Sequence, residues 1–266
     1  MFKITPKKIL KIFAITLLVL AVSFIIFLQN NYIVPIIMYH SVKPVSDPND
    51  RLCVPLDKFE RQMRFLKQYG YNVIALEDLG NLIREGKKIP FRTVVITFDD
   101  GYMDNYTYAF PVLEKYALPA TVFLILDEVE RPLGDRLSWK QIQKMQDSGL
   151  ITFGSHTVTH PWLPEVKSEI VLRYEIFNSK NILEEKLKRP VNCFSYPGGR
   201  FNEHIKDLVQ RAGYKLAVAT SPGKRYSKND LFLLKRIRIS PKDGNLFFYL
   251  VKTSGYYGFA KEKGHR

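Results

Sequence analysis

An apolar run that ends abruptly in two neighbouring acids, Val94-Val95-Ile96-Thr97-Phe98-Asp99-Asp100-Gly101-Tyr102, is the stretch of this chain best suited to chemistry. Val94, Val95, Ile96 and Phe98 predict a strand buried on both faces, as in a parallel sheet. Asp99 and Asp100 then fall where the strand leaves the core, and Gly101 permits the sharp turn that follows. Adjacent carboxylates repel one another unless a cation or a proton separates their roles. Alone, the pair would serve equally as a polar strand end leading into a helix cap. A second pattern adds to it: His156-Thr157-Val158-Thr159-His160 sets two imidazoles at i and i+4. In a helical turn these face one side, about 5–6 Å apart, which is a metal-ligand spacing. Two histidines and one carboxylate form the open ligand set of a catalytic zinc, iron or cobalt site, with positions left for water and substrate. The second acid of the pair is then available as a base, because a carboxylate on the metal no longer opposes its neighbour.

The elements that must carry these groups alternate between strand and helix. Strands are predicted at 33–39, 72–76, 94–98, 120–126, 151–155, 191–196, 214–220 and 233–239, and 43–55 reads as a loop. Helices are predicted at 56–69, 77–85, 106–116, 138–147, 165–188, 202–212 and 246–252. About seven rounds of strand and helix argue α/β with parallel strands. At 266 residues they suit a distorted (β/α)7-type barrel in a single catalytic domain. No Gly-x-Gly-x-x-Gly follows the first strand, which weakens a dinucleotide-binding reading. In such a barrel the C-terminal strand ends share one face, and that face holds the active site. Here the strand ends bear His40, Asp99 with Asp100, His156 with His160, and Pro197-Gly198-Gly199. His204 falls inside a helix and His265 in the tail, and both read as surface residues.

The formal charge is +14, of which residues 1–32 supply four lysines and no acid, leaving +10 for residues 33–266. Such a basic surface suits an anionic wall or a membrane. No nucleic-acid-binding motif or dense Lys/Arg stripe accompanies it, so no nucleic-acid partner is expected. Cys53 and Cys193 are too few and too far apart for a disulfide framework, and buried free thiols are expected. Ile12–Leu28 runs 17 residues without a charge, behind Lys3, Lys7, Lys8 and Lys11. That is long for a signal-peptide core and enough to cross a bilayer. The lysines set residues 1–11 in the cytoplasm and everything after Gln29 outside. The expected organisation is a basic tail and transmembrane anchor at 1–32, uncleaved, and an extracytoplasmic domain at 33–266. A cleaved, secreted form is the alternative.

At this point the motifs resemble the polysaccharide deacetylase family, also called NodB-like proteins or carbohydrate esterase family 4. Its Thr-Phe-Asp-Asp-Gly motif is intact at Thr97–Gly101, and its His-Ser/Thr-x-x-His motif is His156–His160. Phe194-Ser195-Tyr196-Pro197-Gly198-Gly199 resembles the third motif in variant form, and Met38-Tyr39-His40-Ser41 a segment that precedes many members' catalytic core. The resemblance covers roughly residues 35–240, in family order. It implies Asp99 as catalytic base and Asp100, His156 and His160 as ligands of a divalent metal, zinc first and cobalt, nickel or iron as alternatives. It implies an oxyanion donor at the backbone N–H of Gly198, and acetate and a free amine as products.

Two departures concern detail. Many members carry in the third motif an arginine that orients the base, and here that slot holds Ser195. Many also end in Leu-x-Leu-His, whereas Leu234–Ser240 has no histidine, which leaves His40 or Asp99 itself to protonate the leaving amine. Arg236 or Arg238 is placed to orient the base, since alternation sends both to one face. Tyr102, Trp162, Tyr196 and Pro197, with Arg236 and Arg238, form the expected substrate groove. The reading is a monomeric, membrane-anchored, metal-dependent N-deacetylase of N-acetylglucosamine residues in a cell-wall or extracellular polysaccharide. An O-acetyl esterase and a non-catalytic glycan-binding descendant are the competing readings.

Overall fold

The computed structural model describes residues 6–45, 47, 49–129, 134–220 and 230–257. Ten strands follow one another: β1 (Ile36–Tyr39), β2 (Ser41–Lys43), β3 (Cys53–Pro55), β4 (Asn72–Ile74), β5 (Thr93–Phe98), β6 (Ala120–Leu124), β7 (Ile151–Ser155), β8 (Cys193–Ser195), β9 (Leu216–Ala219) and β10 (Leu234–Arg238). Seven of them close a parallel barrel in the order β1-β5-β6-β7-β8-β9-β10, with β1 pairing both β5 and β10. β4 pairs along the first half of β5, at Thr93–Val95. β2 and β3 pair in parallel as a separate small sheet, in a region expected to be loop.

The pleat of the strands divides the apolar residues into two populations. Ile36, Val95, Phe123, Cys193, Leu216, Val218 and Leu234 cluster inside the ring, joined by Leu76 and Leu79 of a helix. The alternate residues, such as Ile37, Val94, Ile96 and Val122, pack outward beneath the other helices. The register Ile36↔Val95 and Ile36↔Arg236 stacks the inner residues in layers. Along each strand the inner residues pass from apolar to polar: Ile36, Met38 and His40 on β1, Val95, Thr97 and Asp99 on β5, and Leu234 then Arg236 on β10. A strand buried on both faces carries this whole programme in one six-residue run, Thr93–Phe98, every residue of which is buried.

The helices are α1 (Pro6–Asn31), α2 (Leu56–Gln68), α3 (Leu76–Arg84), α4 (Phe110–Tyr116), α5 (Trp139–Asp147), α6 (Glu169–Arg173), α7 (Ser179–Leu187), α8 (Glu203–Arg211) and α9 (Leu246–Thr253). Ser138 caps α5 with a reciprocal bond pattern to Gln141. The single helix expected over 165–188 is instead a 3₁₀ turn at Leu163–Glu165, then α6, a π-helical turn at Tyr174–Asn178, and α7. Ser168 caps α6 by accepting from Val171 N, which fixes the later start. α1 contains a 22-residue stretch, Lys7–Leu28, apolar and long enough to cross a membrane, with a mean hydropathy of 2.8 and no part of it buried. It continues through Asn31. Both cysteines are free and buried. His265 and residues 1–5 lie outside the described residues.

Candidate active site

The ends of β5 and β7 bring the acid pair and the two histidines together. One ligand atom from each of Asp100, His156 and His160 lies within 4.8 Å of the others. His156 Nε2 is 3.6 Å and His160 Nε2 3.9 Å from Asp100 Oδ1. The two Nε2 atoms are 3.2 Å apart. His156 Nδ1–H donates to the Ser195 carbonyl at 2.8 Å, which leaves its Nε2 lone pair directed at the triad. That is the hydrogen bond a metal-ligating histidine makes with its other nitrogen. Burial pushes the His156 pKa down to about 3 and lowers that of His160. Two neutral imidazoles with facing nitrogens beside a carboxylate fit a divalent cation with open coordination positions.

The histidines do not share a helical turn, contrary to the expected i, i+4 geometry. His156–His160 is a loop held from behind by Glu175, a buried acid in the π-helical turn. Glu175 Oε2 accepts from Val158 N and Thr159 N, each at 2.9 Å, and Oε1 accepts from Thr159 Oγ1 at 2.6 Å. Thr157 Oγ1 accepts from His160 N at 3.0 Å. These bonds sustain a left-handed backbone at Thr157 (φ 70°) and His160 (φ 62°), and Asp100 (φ 70°) shares that region. Each such non-glycine residue costs about 1–3 kcal/mol and persists only where its surroundings over-determine it.

Asp99 faces the other way, into an arginine. Arg236 Nη1 and Nη2 donate to Asp99 Oδ1 and Oδ2, both at 2.6 Å, and Nη2 also donates to Ser195 Oγ at 2.9 Å. Burial by itself would raise the Asp99 pKa, but Arg236, and secondarily His156, hold the carboxyl well below the usual range. Asp100 has no such partner. Burial and the negative charge of Asp99 push it up to about 7. The two acids thus have opposite environments, the separation that acid–base chemistry requires.

Arg236 is almost fully buried, so it is a partner of Asp99 and not the groove residue expected. Arg238, one pleat further on, is exposed at the mouth. The serine in the family's arginine slot makes room for this guanidinium. Tyr196 is also enclosed: its ring packs 5.3 Å from Phe194 and 5.0 Å from Phe201, which removes it from the groove. Pro197 is buried with it. Gly198, at φ 60°, is exposed, and its N–H has no hydrogen-bond partner among the described residues. A Cβ there would come within 3.3 Å of Trp162 Nε1. Trp162 is half exposed and lies under Arg200, whose guanidinium carbon is 3.8 Å from the ring centroid and which pairs with Glu165. Tyr102 is covered by Arg136 at 4.1 Å.

His40 reaches the same mouth from β1. It is buried, and its Nδ1 has no hydrogen-bond partner among the described residues. Burial lowers its pKa to about 4, against the attraction of Asp99. Its backbone is fixed by residues the sequence reading passed over. Asn105 Nδ2 donates to the His40 carbonyl at 2.7 Å, and Asp104 accepts from Ser41 Oγ at 2.5 Å and Val42 N at 3.1 Å. Their position one turn after the acid pair was the available signal, although polar residues at a helix start read first as caps.

The family profile described as Polysaccharide deacetylase matches residues 86–217. The Bacillus subtilis protein YxkH is 33% identical over 207 residues, 78% of this chain and 71% of that protein. The poly-beta-1,6-N-acetyl-D-glucosamine N-deacetylase of Staphylococcus aureus is 28% identical over 209 residues, 75% of this chain and 71% of its own length. Among solved structures, the Streptococcus pyogenes deacetylase PplD in complex with acetate superposes with a TM-score of 0.72 at 34% identity, covering 79% of this chain and 93% of PplD.

Proposed function

Because the chain belongs to the polysaccharide deacetylase family, we propose that it hydrolyses N-acetyl groups of N-acetylglucosamine residues in a cell-wall or extracellular polysaccharide, releasing acetate. The observation that carries this reading is the meeting of the Asp100–His156–His160 triad with the Asp99–Arg236 pair at one barrel mouth. A divalent cation, zinc first, held by those three residues supplies Lewis acidity toward the acetamide carbonyl. Asp99, turned by Arg236, keeps a free lone-pair direction on each oxygen and accepts the proton of the attacking water. With so low a pKa it does not retain that proton. His40, neutral at pH 7 and open at Nδ1, carries it to the departing amine. The N–H of the exposed Gly198 donates to the oxyanion, and Trp162 gives a sugar ring a stacking face.

The relative that acts on poly-β-1,6-N-acetylglucosamine and the one solved with acetate support this substrate class and this product. The lysines before an apolar span support a domain outside the membrane, held there by α1 as a single-pass anchor. The test is acetate release by the zinc-loaded protein from poly-β-1,6-N-acetylglucosamine, peptidoglycan and chitin oligomers, with O-acetylated xylan alongside. Acetate from at least one N-acetylated polymer, with a matching rise in free amines, is expected. Acetate from the xylan alone would replace the reading by an esterase.

A further inference from the structure

At the end of the barrel opposite the active site lies a cavity of about 720 Å³, inside the range of about 300–1,000 Å³ typical of ligand sites. Its inner wall is Ile36, Leu79 and Leu234, the lowest layer of the barrel interior and the helix that closes it. Its outer wall is different in kind: Ile25 and Leu28, from the last apolar turn of α1.

The end of α1 is tied to the base of the barrel. Tyr256 Oη donates to the Leu28 carbonyl, Tyr32 Oη to the Thr93 carbonyl and Ile33 N to the Gly255 carbonyl, each at 3.0 Å. If α1 spans the bilayer, this junction stands at the membrane surface, and the cavity it encloses opens at that level. Tyr32 has Phe91 at 5.6 Å and Tyr256 at 6.0 Å, and Phe91 is 67% exposed. Aromatic rings gathered at the end of a span are the side chains that settle at lipid head groups. Beside them, Lys87 and Lys88 line the same cavity. Lys87 is paired with Glu85 at 2.7 Å, and Lys88 has no ion-pair partner among the described residues.

We propose that this cavity is a binding site for an anionic phospholipid of the outer leaflet. One acyl chain enters beside α1 and lies against Ile36, Leu79 and Leu234, while the phosphate meets Lys88 and, more weakly, the already paired Lys87. The apolar wall continues the surface of the span, so an acyl chain passes from bilayer to cavity without crossing water. The lysines are where the phosphate must be. A lipid seated here holds the base of the barrel on the membrane and turns the mouth toward polymer on the far side. The inference rests on α1 being an uncleaved anchor.

The test uses the full-length protein in phosphatidylcholine vesicles doped with phosphatidylglycerol bearing a photoreactive group near the end of one acyl chain. After irradiation, labelled peptides are located by mass spectrometry. Labelling is expected both on Ile12–Leu28 and on cavity residues of α3 and β10. Lys88→Ala should lower the cavity label about fivefold, the weight of one lysine at an anionic surface, without changing the α1 label. Ile83→Trp, which narrows the cavity, should lower the cavity label without changing the α1 label. Label on α1 but none in the wild-type cavity overturns the lipid site and leaves the anchor standing. Label on neither overturns both. A cavity labelled only after deletion of residues 258–266 belongs to the chain's own C-terminal segment, and equal labelling by phosphatidylcholine and phosphatidylglycerol probes removes the anionic specificity. Either result overturns the proposal.

Discussion

Replacing Arg236 by Met tests the electrostatic design of the site most directly. Both members of the Arg236–Asp99 pair are buried, and both carboxylate oxygens receive an N–H at 2.6 Å. Removing the arginine leaves a carboxylate enclosed without a counter-charge, a change that costs about 3–5 kcal/mol of stability at neutral pH. The pH dependence identifies the cause. In the native protein the folded pKa of Asp99 lies below its unfolded value, so its stabilisation is present above about pH 4 and is lost as pH falls through the folded value. In Arg236→Met the folded pKa lies above the unfolded one, so this residue's penalty is full at neutral pH and fades as the carboxyl takes up a proton on acidification. The stability difference should therefore be largest near pH 7, fall part of the way by pH 4 as the variant's carboxyl is protonated, and fall further only below pH 4, where the native Asp99 loses its own stabilisation. Urea denaturation of the metal-free protein at several pH values, followed by tryptophan fluorescence, measures it. Arg236→Lys should recover only part, because an ammonium cannot make the two-point contact. A difference that stays constant with pH, or is below about 1 kcal/mol at neutral pH, would refute the argument.

Four further outcomes are expected. The protein should hold one divalent ion, lost in the His156→Ala, His160→Ala double variant. Asp99→Asn should keep the ion while turnover falls by about 10²–10⁴-fold; loss of metal with activity would make Asp99 a ligand. Glu175→Gln should weaken metal affinity about 10–100-fold with little change in turnover at saturating metal, since Glu175 touches only the loop that carries His160; unchanged affinity in a chelator titration would deny it a positioning role. His40→Gln should retain metal, lower turnover and remove an inflection near pH 4 from the acid side of the kcat/KM profile, leaving the alkaline side unchanged. Unchanged turnover with that inflection intact would make His40 structural and leave Asp99 to pass on its own proton.

The layers of the barrel were largely legible, because a strand buried on both faces leaves a short, unbroken β-branched and aromatic run such as Thr93–Phe98. The acid pair and the histidines were legible for a related reason. Polar residues at the ends of such runs have no packing purpose, and their types match one another's chemistry. What was legible only in part, or not at all, acts through three-dimensional return. Alternation offers Arg236 or Arg238 to orient Asp99 but reads equally as a solvated edge, and barrel closure is what selects Arg236 and turns it inward. Glu175 lies in a stretch that fits an ordinary surface helix, and the π-helical turn that swings it under the His156–His160 loop has no marker in the sequence. Tyr196 failed in the opposite direction. An aromatic beside a glycine turn suggests a platform, but Phe194 and Phe201 enclose it.

The site is assembled against its own electrostatics, and that explains its need for support from outside. Burial drives His40 and His156 toward neutrality, while burial and Asp99 drive Asp100 toward its protonated form. Only Asp99 is relieved, by Arg236. Asp100 and the two facing nitrogens gather their lone pairs at one point, the nitrogens on a loop held in the left-handed region by Glu175. Such an arrangement is stable only because a barrel of buried strands fixes it. A divalent ion held by Asp100, His156 and His160 would favour the ionised Asp100 and take up both imidazole lone pairs, leaving Asp99 with Arg236 as the proposed base. The residues that look least favourable by themselves are therefore the ones that together fit a cation.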